Sequence, residues 1–117
     1  MDNRPLIASA IPQARYQIGA YSATLLAEIT SRDCYAYRYI LAFVAPGQTQ
    51  PTLYLCAIPS GHADQPHCHD LRVISEALND VLDQHERWAD RDLFVEQALD
   101  LGCQMLSLPR ESATKLM

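Results

Sequence analysis

The sequence predicts an α+β fold: an antiparallel meander of three to five strands, two C-terminal helices packed on one face, and a short final strand. Three observations carry that expectation. All six tyrosines fall between Tyr16 and Tyr54, a residue type enriched in sheets. Turn-forming clusters near residues 31–33, 46–47 and 59–61 cut this half into short segments, too closely spaced for parallel crossovers. Beyond His69 the apolar residues change to a helical spacing.

Taken in order, residues 6–11 offer an edge strand. Residues 16–30 alternate loosely, with Ile18, Ala20, Leu26 and others on one parity. Residues 35–44 form the clearest strand. Tyr35, Tyr37, Tyr39, Leu41 and Phe43 share one face, and Ala36, Arg38, Ile40, Ala42 and Val44 share the other. With apolar residues on both faces, this strand should be central. Pro46-Gly47 suits a type II turn, since proline fixes φ at the first corner and glycine accepts positive φ at the second. A third strand covers residues 52–58.

A helix is then expected from Asp70, with Leu71, Ile74, Leu78, Val81, Leu82, His85 and Trp88 on its buried stripe and Asp70 as N-cap. A second helix covers residues 92–101 and stops at Gly102, read as its left-handed C′ residue. Residues 103–108 supply the last strand, and the tail should fray.

At 117 residues the chain is expected to be one domain, long enough to sustain a core without disulfides. No run of about 18 apolar residues occurs, so no membrane span is expected. The start of the chain lacks a secretory pattern, which makes the cytoplasm the expected compartment. Cys34, Cys56, Cys68 and Cys103 form no CxxC pair and are expected to be reduced. Net charge is −5, and ten of the fourteen acidic residues lie between positions 62 and 102 beside only three basic ones. That surface excludes nucleic acid as a partner, because phosphate backbones need clustered Lys and Arg. A basic protein is the complementary partner.

No GxSxG, P-loop or GxGxxG pattern is present. Chemistry is concentrated in residues 61–70, which hold three of the four histidines and Cys68. On extended backbone His67 and His69 would point the same way, and His62 could fold back across the loop. That set, His62, His67 and His69, is the candidate site for zinc or another divalent transition metal. Gly61, His67 and His69 resemble the opening of the cupin metal motif: a glycine, five residues, then HxH. That family's pattern continues on strands with a glutamate three or four residues later and then a glycine. Here the first glutamate is Glu76, in a segment predicted helical, so a cupin is not expected. His85, on the apolar stripe beside Trp88, reads as a core histidine. The stripe Tyr35, Tyr37 and Tyr39 is the candidate binding surface.

With two helices on one face, the other face of the sheet needs cover. The sequence therefore points to a non-enzymatic, homodimeric binding or regulatory protein, with the acidic helices available to a basic partner. The alternative is a metal-dependent enzyme or metal-binding protein built on the histidine loop.

Overall fold

The computed structural model describes residues 4–61 and 64–116. Among these residues it is a seven-stranded antiparallel sheet with a single α-helix, which overturns the expected pair of C-terminal helices. The strands are β1 (Ile7–Ile18), β2 (Tyr21–Ser31), β3 (Tyr39–Val44), β4 (Leu53–Pro59), β5 (His69–Ile74), β6 (Asn79–His85) and β7 (Ala113–Lys115). Their order across the sheet is β6-β5-β4-β3-β2-β1-β7. Only β7 leaves the meander, returning to pair with the end of β1.

The segment expected to be the first helix is instead the β5–β6 hairpin. Leu71 and Val73 pack in the core beneath the helix, while Ile74 packs on the opposite face, an alternation of period two that the 3.6-residue reading absorbed. Asp70 is therefore not a helix cap. It is a buried strand residue whose Oδ1 accepts from the Ser60 hydroxyl at 2.7 Å and from the Gln84 amide at 2.8 Å. The long segment at 16–30 also divides. Gly19, at φ 60, turns the chain between β1 and β2, and β1 extends well beyond the six residues expected of an edge strand. The Pro46-Gly47 turn has the expected geometry: Gly47 takes φ 75 and the Gln48 amide donates to the Ala45 carbonyl.

The helix, α1 (Arg91–Met105), is capped by Asp90, whose carboxylate accepts from the Asp92 and Leu93 amides. It buries Phe94, Val95, Ala98, Leu99 and Cys103 against Leu41, Phe43 and Leu55 of the central strands. It runs past Gly102 to Met105, so residues 103–108 are not a strand, and Gly102 lies inside the helix rather than after it. The chain end does not fray at residues 113–115, which are held as β7 on β1.

The other face of the sheet is closed from within the chain. Ile40, Cys56 and Ile74 are fully buried there with Tyr54 and Ile58. Three register shifts bend the β1–β2 ribbon. Its near half, Ala14, Ile18 and Leu25, packs under the helix, whereas Ile7, Leu26 and Ile29 pack on the opposite cluster. Tyr35 and Tyr37, in the connection before β3, complete the cover. The physical ground for expecting a second copy on this face, an uncovered sheet, is thus removed. No described helix is long and apolar enough to cross a membrane.

Candidate protein-binding edge and the histidine loop

The three tyrosines do not share a face. Tyr35 and Tyr37 lie in the loop preceding β3, their ring centroids 5.7 Å apart, and the Arg72 guanidinium stands 5.1 Å above the Tyr35 ring. Tyr37 donates its hydroxyl to Asp33 at 2.9 Å. Burial, followed by that bond to a carboxylate, pushes the Tyr37 phenol well above its usual range. Asp33 also accepts from the Leu6 and Tyr35 amides. Its burial acts to raise its pKa, but these donors outweigh it and hold the carboxyl below the ordinary value. Tyr39 sits on the helix face, stacked on Phe94 at 5.9 Å. All three rings are used internally, while Tyr37 and Tyr39 also border a groove of about 680 Å³ with Glu28, Arg38 and His69.

That groove takes His69 away from His67. His69, only 8 % exposed, begins β5 and shares the parity of Leu71 and Val73. Its Nδ1 lies 2.8 Å from the His67 carbonyl. A carbonyl only accepts, so Nδ1 carries a proton, and in the neutral ring the lone pair sits on Nε2. His67 is exposed and borders a different cleft of about 480 Å³, shared with Cys68, His85 and Glu86. His62 lies outside the described residues.

His85 is not the core histidine that its place beside Trp88 implied; it is exposed at the end of β6. Its Nδ1 accepts from the Arg87 amide at 3.1 Å, so the neutral ring has no further lone pair for a metal. Among the described residues no group of three His, Cys, Asp or Glu side chains could hold a metal ion. The strand at His69 does remove one ground for setting the cupin pattern aside. The other ground, the position of Glu76, is untouched.

The cleft opens at one end of β6, and β6 is the edge that sequence reasoning missed. It pairs with β5 on one side and with no described element on the other. A register shift leaves Leu82 without a β5 partner. Leu82 and Val81 are each 40 % exposed, and Leu78, in the turn just before the strand, is 39 % exposed. Helical spacing alone would put these residues on a buried stripe. The same stretch carries Glu76, Asp80, Asp83 and Glu86, with Asp64 bordering the cleft. Asp83 is held in place: it accepts from the Trp88 indole at 3.0 Å and pairs with Arg87 at 3.4 Å. The readable signal was the period-two pattern of residues 69–74 next to the β-branched pair Val73-Ile74.

The arrangement offers hydrogen-bonding backbone, aliphatic side chains and negative charge along one line. Nucleophilic chemistry finds little here. Cys56 and Cys103 are buried, which raises both thiols, while Cys68 lies 3.6 Å from the Ser60 hydroxyl; all four cysteines are free. No protein-family model, no curated protein and no solved structure matches this chain.

Proposed function

We propose that this protein is a non-enzymatic binding domain that takes a basic, extended segment of a protein partner as an eighth strand along β6. The observation that carries the reading is the open outer edge of β6. An unpaired strand edge is a template for another strand: main-chain bonds supply affinity and alternate side chains supply specificity. Leu78, Val81 and Leu82 provide apolar contact, and Glu76, Asp80 and Glu86 select positive charge. The cleft at His85, bordered by Asp64 and Glu86, accepts one long basic side chain at the end of the strand.

The same charges argue against a second copy at this edge. Antiparallel self-pairing would bring two sets of these carboxylates together, and like charges facing each other across strands are destabilising. A basic segment turns that cost into attraction, with an association rate that falls as salt is added.

The test uses two synthetic peptides, one alternating lysine with valine and one alternating glutamate with valine, titrated into the isotopically labelled protein. Binding of the lysine peptide, with new amide-exchange protection confined to residues 79–85 and weakening in salt, supports the proposal. Equal binding of the glutamate peptide, or protection elsewhere on the sheet, overturns it. So does protection of β6 without peptide in a protein that sediments as a dimer, because a second copy would then occupy the edge.

A further inference from the structure

Another cleft lies on the far side of the molecule from β6, between α1 and the β1–β7 pair, and encloses about 380 Å³. Its walls are chemically divided. Val95 and Leu99 of the helix and the ring of Tyr16 form an apolar side. Arg91, Arg110 and Lys115 bring three cations to the same space. These are a third of the nine basic residues in a chain of net charge −5, and Lys115 is its single lysine.

The topology brings them together. Tyr16 is the direct cross-strand partner of Lys115 in the β1–β7 ladder, so their side chains leave the same face as neighbours. Arg110 is positioned from the other side, its Nε donating to Asp100 at 2.7 Å and leaving its terminal nitrogens for another acceptor. Asp92 and Glu96 also border the cleft, and Asp92 stands 3.4 Å from Arg91. Counting Asp100 behind Arg110, three carboxylates match the three cations in number, so what the cleft offers an anion is placement: Lys115 beside Tyr16 and the terminal nitrogens of Arg110. Burial and, to a lesser degree, Asp92 keep the Tyr16 phenol protonated against the opposing effect of Arg91 and Arg110, so its hydroxyl can donate.

We propose that this cleft binds a small organic acid with an apolar body, its carboxylate held by Lys115, Arg110 and the Tyr16 hydroxyl, its body lying on Val95 and Leu99. A cleft of this volume falls within the range of small-molecule sites, which pair apolar walls with a few convergent polar groups. The converging donors of Lys115, Arg110 and Tyr16 select the acid over an amine, and the apolar wall selects it over a bare inorganic anion. The site is separate from β6, so its fate does not depend on the partner proposed there.

Octanoate, octylamine and inorganic phosphate serve as probes, followed by amide chemical shifts in the full chain. Octanoate should bind saturably, shifting residues 16, 95 and 99. The double variant Lys115→Gln/Arg110→Gln should weaken it about tenfold. Asp100→Asn, which loosens Arg110 but keeps both cations, should bind at least as well as the parent, separating charge from folding. Octylamine or phosphate binding as tightly as octanoate overturns the proposal. Undiminished octanoate binding by the double variant, or no saturable binding at millimolar octanoate, overturns it equally.

Discussion

Gly102 lies against the ring of Phe43 so closely that a methyl group on Gly102 would collide with Cζ, Cε1 and Cε2 of that ring. This contact brings the last turns of α1 onto β3, at the middle of the sheet. Glycine is present here for its size, since its backbone is helical.

Replacing Gly102 by alanine sets two effects against each other. Alanine favours the helix by about 1 kcal/mol. Forcing a buried, fully packed phenylalanine aside costs about 1–3 kcal/mol. The clash should win, so Gly102→Ala should lower the urea midpoint, and adding Phe43→Leu should recover part of the loss. A more stable single variant would show that the ring moves freely.

Asp33 supplies a second test, because it ties Leu6, Tyr35 and Tyr37 into the cover of the second sheet face. Its folded pKa is depressed, so it stabilises the fold above the unfolded value of about 3.9. That contribution is lost as pH falls through the folded value. Asp33→Asn should cost about 1–2 kcal/mol at neutral pH. The difference from the parent should shrink as the solution is acidified below pH ~4. A gap that stays constant on acidification would mean the carboxylate charge has no part in holding the loop.

How much of this was legible beforehand depended on how far each feature lay from its partner. The Pro46-Gly47 turn, the β4 strand and the start of the helix after Asp90 rest on local chemistry and stand nearly where the sequence puts them, whereas the helix end, expected at Gly102, lies at Met105. The β5–β6 hairpin does not rest on local chemistry. Leu71, Ile74, Leu78, Val81 and Leu82 satisfy helical spacing by coincidence, and no Gly or Pro marks the turn at residues 75–78. The decision against a helix is made by β4, which needs a neighbour along its whole length. Likewise, nothing near Tyr35 or Tyr37 reveals that the ribbon bends over the second face. The histidine pattern was visible, but the hydrogen bonds that orient His69 and His85 depend on the ladder between them.

The cysteines should separate by burial. Cys34 is exposed and Cys68 half-buried, whereas Cys56 and Cys103 are buried with raised thiol pKa values. A thiol-reactive reagent at pH 7.5 should therefore label Cys34 first and Cys68 more slowly, with the other two reacting only after denaturation. Early labelling of Cys56, identified by peptide mass, would contradict the closed second face.

The last prediction concerns His67 and His69. Extended backbone with one residue between them permits the two side chains to converge on a metal. Instead the His67 carbonyl accepts the Nδ1 proton of His69, and the two side chains border different clefts. Ligation by His69 would use Nε2, and joint ligation would require turning a nearly buried ring out of its groove at the start of β5 toward the exposed His67. The two residues should therefore act independently toward zinc. Titration of zinc at pH 7.5 into the untagged protein and into His69→Ala should give superimposable isotherms, whatever weak binding His67 contributes alone. His69→Ala should instead report on the fold, losing the bond that fixes the entry to β5 and about 1 kcal/mol of stability. A zinc isotherm abolished equally by His67→Ala and by His69→Ala, with both variants folded, would mean that the loop rearranges around the metal and that the pair acts as one site.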